Sequence, residues 1–290
     1  MILITGSKGQ LGRNIQQAAA KSFPHFSFVC ADVNELDITQ AAAVHNFCAQ
    51  HQPKFIINCA AYTAVDKAED EAEKAAAVNT GAVMNLTKAA ASINAFLLHI
   101  STDYVFDGNT NMPYTEKDAV NPLSVYGKTK LAGEQAALTY ARSMVVRTAW
   151  LYAAEGNNFV NTMLRLGNER TSVNVVSDQY ASPTYAYDLA KTLLKIVDKV
   201  NLNPAAFRSG IYHFTNEGTC SWFDFAKKIM ELGQCNCVVN PISSAAYPTS
   251  AHRPKYSVLN KEKIKQTYGV RISSWEDGLI RCLKQKNSIQ

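Results

Sequence analysis

Gly6-Ser-Lys-Gly9-Gln-Leu-Gly12 follows the short apolar run Ile2 to Thr5 and opens a helical pattern, and no other stretch limits the fold so tightly. Glycines at such a turn let the backbone approach a pyrophosphate and let strand and helix pack closely. The helix N-terminus then stabilises the negative charge. A glycine triplet alone is weak, but a strand before it and a helix after it raise its weight. No Lys-Ser/Thr pair follows Gly12, so the turn is not a Walker loop. Gly6, Gly9, Gln10, Leu11 and Gly12 are therefore candidate dinucleotide contacts.

The rest of the chain fits that opening. Ile2 to Thr5, Phe26 to Ala31, Phe55 to Cys59, Phe96 to Ile100, Met144 to Arg147 and Val173 to Val176 read as buried strands. Helical patterns run over Leu11 to Lys21, Ala41 to His51, Glu71 to Ala91 and Tyr126 to Tyr140. This alternation predicts an α/β fold, a Rossmann-type doubly wound parallel sheet. Past Trp150 the rhythm loosens, with helices expected over Asn157 to Leu166, Asp188 to Val200 and Trp222 to Leu232, and a strand over Ile211 to Thr215. We read residues 1–150 as the dinucleotide-binding domain, with about 170–200 returning to it. Residues 151–290 then form a smaller, discontinuous, interleaved substrate domain.

Bulk properties exclude several classes. The formal charge is +5, with basic residues scattered rather than blocked, so neither nucleic acid nor a membrane surface is implied. No apolar run reaches bilayer length, and Met1 leads directly into Ile-Leu-Ile with no basic signal region. The seven cysteines are irregularly placed, and Cys235-Asn-Cys237 lacks zinc spacing. The six histidines show no paired metal motif either. A cytoplasmic protein without a bound metal is expected.

Two ends of a site can be placed on the sheet. Asp32, closing the second strand, can accept hydrogen bonds from an adenosine ribose. A carboxylate there repels a 2′-phosphate and favours NADH, whereas Lys8 and Arg13 offset it, so NADH and NADPH both stay open. Asp37 and Ile38 suit an adenine contact, and small residues at Ala60, Ala61 and Thr63 can line the cofactor. At the other end, Thr102 closes the fourth strand, where ligands of open parallel sheets bind. Tyr126 and Lys130 stand four residues apart on one helix face. A phenol titrates near pH 10, and a neighbouring ammonium and the positive nicotinamide of an oxidised coenzyme are both expected to lower that value. Thr102, Tyr126 and Lys130 thus read as a carbonyl-reduction set. The competing reading for any one of them is a packed ring, a solvated amine or a strand-end hydroxyl.

The glycine turn in its G-x-x-G-x-x-G form, Asn58 to Thr63, Ser101 to Gly108 and Tyr126 to Lys130 together resemble an extended short-chain dehydrogenase/reductase. Beyond them come Thr148-Ala-Trp150-Leu-Tyr152, Gly156-Asn-Asn-Phe159, Asp178-Gln-Tyr-Ala-Ser-Pro183-Thr184 and Arg253-Pro-Lys-Tyr-Ser257. This series is similar to the dTDP-4-dehydrorhamnose reductase family over nearly the whole chain. The resemblance implies reduction of the 4-keto group of a dTDP-linked 6-deoxy sugar by NADPH or NADH. It implies catalytic roles for Thr102, Tyr126 and Lys130, sugar contacts from Asp103 and Trp150, and cofactor contacts from Gly9 to Gly12, Asp32, Asp37, Ile38, Ala60, Ala61, Thr63, Tyr126 and Lys130. Arg253 pairs either with the nucleotide diphosphate or in a structural salt bridge.

Two departures stand out. Some members dimerise around magnesium held by glutamates, one of them in the first helix, but Arg13 to Gln17 and the tail Lys284 to Gln290 carry no acid. No metal site is expected, and a monomer or homodimer both fit. Ala181-Ser182 stand where the family has Gly-Ala, and a glycine lost from a turn can shift it. Two rivals remain: another nucleotide-sugar 4-ketoreductase or epimerase, and a non-catalytic regulatory subunit resembling the beta subunit of methionine adenosyltransferase. Cofactor surviving dialysis would mark an epimerase, and a copurifying synthetase a regulatory subunit.

Overall fold

The computed structural model describes residues 1–289. Gln290 lies outside the described residues, and with it the last position of the tail and of the second domain as read above. A six-stranded parallel sheet forms the frame. Its strands are β1 (Ile2–Thr5), β2 (Phe28–Ala31), β3 (Phe55–Asn58), β4 (Phe96–Thr102), β5 (Ser143–Thr148) and, last in sequence, Gly210–His213. Across the sheet the order is Gly210–His213, β5, β4, β3, β1, β2. The order reverses between β1 and β3, and in open sheets that point opens a ligand crevice at the strands' carboxyl ends.

Period-two alternation explains the two packed layers. Ile2, Ile4, Phe55 and Ile57 face one side and meet the helices Gln10–Ser22 and Ala186–Leu202. Leu3, Ile56, Leu97 and Val145 face the other side and meet Ala41–His51 and Ala82–Ser92. Both faces are covered, so the strands read as continuous apolar runs.

A second lobe packs Val160, Met163, Phe225, Ile229, Trp275 and Leu279 into its own core. Its helix Trp222–Leu232 starts with a full capping box, in which the Ser221 hydroxyl accepts from the Asp224 N–H and Asp224 reaches back to Ser221. The helix Phe159–Glu169 starts on Asn158, whose side chain accepts from the Asn161 N–H.

The chain differs from the sequence reading in three places, the first being that Gly210–His213, read as part of the second domain, is the edge strand of the large sheet beside β5. Residues 172–176 form a strand, but it pairs in parallel with Val238–Ile242 in the second lobe, not with the large sheet. Of the stretch from about 170 to 200, the helix Ala186–Leu202 is the part that packs on the sheet. The long helix expected over Glu71 to Ala91 is interrupted by a wider π-turn at Ala77–Gly81. The turn lies against another helix: Gly133 of Val125–Leu138 is so close to the Asn79 carbonyl that a Cβ there would overlap it.

Candidate active site

A cleft of about 890 Å³ opens along the carboxyl edge of the sheet and reaches into the second lobe. It begins at the reversal point. Thr5 at the end of β1 donates its hydroxyl to Asn58 at the end of β3 (2.7 Å), and the same Asn58 oxygen accepts from the Ala60 N–H (3.1 Å). These bonds draw the two turns together. Gly6 stands at φ +64°, and a Cβ on it would come within 2.7 Å of the Ala60 nitrogen. A Cβ on Gly12 would overlap the Gly6 carbonyl. Glycine is required at both positions, the first for conformation and space, the second for space alone.

Gly6, Gly9, Gln10, Leu11, Asp32, Asp37, Ile38, Ala60, Ala61 and Thr63 all line this cleft. Gly12 does not; it packs the helix start behind it. Asp32 accepts from the Lys8 backbone N–H at 3.0 Å. The two cations that offset Asp32 in the sequence reading are engaged, Lys8 with Glu35 (2.7 Å) and Arg13 with Glu155 (3.5 Å). Asp37 accepts from both the Thr39 N–H and hydroxyl, which hold its carboxyl below the usual range. This geometry fits a dinucleotide: a glycine turn at a helix start, the acids Asp32 and Asp37 beside it and small residues along the floor.

At the far end the cleft is lined by Thr102, Asp103, Tyr104, Tyr126, Lys130 and Trp150. Ser124 caps the helix Val125–Leu138, accepting from the Gly127 N–H, so Tyr126 and Lys130 lie in its first two turns. Lys130 is 2% exposed and donates to the Ile100 carbonyl at 2.6 Å. Burial lowers its ammonium to about 8, against an opposing pull from Glu134.

The phenol departs from expectation. Burial raises Tyr126 to about 12, although the Thr102 hydroxyl beside it favours the phenolate. Burial outweighs that hydroxyl, and the Lys130 ammonium is turned to the Ile100 carbonyl.

Beneath Lys130 sits a buried ion pair. Glu134 accepts from Arg147 Nε (2.9 Å) and NH2 (2.7 Å) and from the Ser101 hydroxyl (2.5 Å). Ile100 and Ser101 are neighbours on β4, while Lys130 and Glu134 are one helical turn apart. Strand and helix are thus pinned at two successive points.

The second lobe completes the wall. Trp222 enters the cleft and stacks on Trp150, ring centroids 3.5 Å apart and planes within 13°. Trp222 was missed by the sequence reading, and no spacing marks it, because it comes from the other lobe. Glu134 had a visible signal in its four-residue offset from Lys130. Arg253 is absent from the cleft lining and pairs with Asp66 (2.6 Å) on the opposite lobe. Ala181 does not stand at positive φ and pairs with Cys220, so the position does not need the family's glycine.

A family model described as RmlD substrate binding domain matches residues 1–288. A dTDP-4-dehydrorhamnose reductase of Aggregatibacter actinomycetemcomitans is 42% identical over 96% of both chains. The chain belongs to the dTDP-4-dehydrorhamnose reductase family. A crystal structure of such a reductase from Clostridium acetobutylicum superposes with a TM-score of 0.93 at 42% identity, covering 99% of each chain. Another, from Bacillus anthracis in complex with NADP, gives 0.91 at 38% identity over 98% of each. The chain is an oxidoreductase of this family, and the extended short-chain reductase fold expected above is the one observed. No helix among the described residues is long and apolar enough to cross a membrane.

Proposed function

We propose that the chain reduces the 4-keto group of dTDP-4-dehydro-6-deoxy-L-mannose to give dTDP-L-rhamnose, with NAD(P)H as reductant. The observation that carries this reading is continuity: one cleft runs from the Gly6 cradle to Thr102, Tyr126 and Lys130. When bound along Gly6 to Leu11, Asp32, Asp37, Ile38 and Ala60 to Thr63, the coenzyme supplies the hydride for the sugar's fourth carbon.

The protein's own residues manage the oxygen. A phenol held near 12 keeps its proton at neutral pH and so has one to deliver. Tyr126 gives that proton to the oxygen that becomes O4, while the Thr102 hydroxyl steadies it. The Thr102 hydroxyl favours the phenolate left behind, and Lys130, still largely charged near neutrality, would hold the nicotinamide ribose. Asp103 accepts a hydroxyl of the sugar, and the free face of Trp150 covers its apolar C–H surface. Arg253 has a partner in Asp66, and a diphosphate contact requires that it exchange this partner.

All these groups come from one chain, so no second copy is needed for the chemistry. Seven free cysteines support a reducing, cytoplasmic setting. The test is coenzyme oxidation against a panel of dTDP- and UDP-linked 4-keto sugars. Oxidation with the dTDP-6-deoxy sugar and not with the others is expected; turnover without added reductant, on coenzyme retained through dialysis, would identify an epimerase instead.

A further inference from the structure

Ser257 ends the Arg253-Pro-Lys-Tyr-Ser257 series and donates its hydroxyl to Asp103 Oδ2 at 2.5 Å. Both residues are 2% exposed. The other carboxyl oxygen, Oδ1, accepts from the Thr102 hydroxyl at 3.2 Å. One carboxylate therefore ties the last fifth of the chain to the residue that ends β4.

Ser257 is itself held firmly. Its N–H donates to the Tyr180 carbonyl (2.8 Å), and the Tyr180 N–H donates to the Lys255 carbonyl (2.8 Å), so the segment is joined to the Asp178 to Thr184 loop by a single parallel bridge at Tyr180 and Tyr256. Three residues earlier, Pro254 packs on Gly108, where a Cβ would meet Pro254 and the Lys255 nitrogen at 2.7 Å. Arg253 then fastens to Asp66. The serine hydroxyl has no role in the nucleotide cradle, in the phenol–ammonium pair or in the core.

An ionised carboxylate offers about four acceptor positions. Ser257, Thr102 and the Asp103 backbone N–H take three of them. We propose that Ser257 is a positioning residue that keeps Asp103 an acceptor-only carboxylate, turned so that its remaining position meets a hydroxyl of the keto sugar. The inference rests on the reductase reading above for the identity of that hydroxyl, but the Ser257–Asp103 link does not.

The surroundings make the link matter. Burial raises the Asp103 carboxyl to about 7, and the bonds from Ser257 and Thr102 pull the other way. The titratable and charged groups around it are Tyr104, next along the chain, and Tyr126 from the facing helix, with Arg253 and Asp66 beyond Tyr104. None of them donates to Asp103, so the serine is its main side-chain counterweight to desolvation. Without that donor the carboxyl protonates at higher pH and becomes a donor itself, with the wrong polarity for a sugar hydroxyl that must give its proton.

The experiment titrates Asp103 by isotope-edited infrared spectroscopy in the free full-length protein, with Asp103→Asn as the blank. Kinetics against pH are run in parallel on the dTDP-linked 4-keto sugar. In Ser257→Ala the carboxyl midpoint should rise by about one unit, and kcat/KM at neutral pH should fall about fivefold, mainly through KM. Ser257→Thr, which keeps the hydroxyl, should restore both. If Ser257→Ala does not fold, Ser257→Cys, a weak donor of similar size, makes the same comparison. An unchanged midpoint overturns the proposal whatever turnover does. A shifted midpoint in a protein whose wild type does not reduce the sugar overturns the reductase reading and leaves the Ser257 link standing.

Discussion

Trp150 lies flat on Trp222, centroids 3.5 Å apart, and does so from a backbone φ of +45°. A bulky residue at positive φ is a strained position that its surroundings must hold. Here the holder belongs to the second lobe, and Phe159 backs it at 4.5 Å. The indole face presented to the cleft is therefore maintained from outside the domain that contains it.

Replacing Trp222 by alanine should let the strained Trp150 backbone relax. A stacked aromatic pair contributes about 0.5–1.5 kcal/mol beyond its buried area, so KM for the nucleotide sugar should rise several-fold with kcat less affected. The stacked pair should also give coupled indole bands in circular dichroism that vanish in the variant. Unchanged kinetics together with an unchanged spectrum would refute the arrangement.

Tyr126→Phe should lower kcat by about 10²–10⁴-fold, the usual contribution of a positioned acid. Its coenzyme affinity, read by fluorescence titration, should stay close to that of the wild type, because the cradle at Gly6 is untouched. Full turnover in this variant would remove the phenol from the proton path.

Glu134→Gln should act on Lys130 through charge. Burial has already lowered Lys130 to about 8, and Glu134 opposes that shift. The ammonium is lost as pH rises through its pKa, so removing Glu134 should move the alkaline limb of kcat/KM to lower pH. The freed Arg147, 2% exposed, adds repulsion in the same direction. Breaking a buried pair on one side costs about 3–5 kcal/mol, so the melting temperature should fall as well. A lower melting temperature with an unmoved alkaline limb would restrict Glu134 to structure.

How far the sequence foretold this molecule depends on how local each signal is. Ile2 to Thr5, the glycine turn and the Tyr126–Lys130 spacing carry their meaning within a few residues, and all three sit in the structure as read. The strand at 172–176 was legible, but its partner at 238–242 was not, since pairing is decided by the lobe and not by the strand. The π-turn at Ala77–Gly81 was hidden by an alanine run that favours helix, and the Gly133–Asn79 approach beside it is a contact between distant segments. The burial of the phenol was hidden for a related reason. A spacing shows that an ammonium is near, but not that Ile100 occupies it or that burial outweighs it. Trp222 and Ser257 reach the cleft across the lobe boundary, where no periodicity points.

The bond between Ser257 and Asp103 spans a sequence separation of 154 residues. During synthesis the ribosome delivers the nucleotide cradle and Tyr126 long before it delivers Ser257. The Asp103 carboxyl therefore waits for its serine donor until the last part of the chain is made. The core under the sheet also waits for Ile264, Tyr268 and Val270, so the final segment completes the coenzyme fold and the sugar site together.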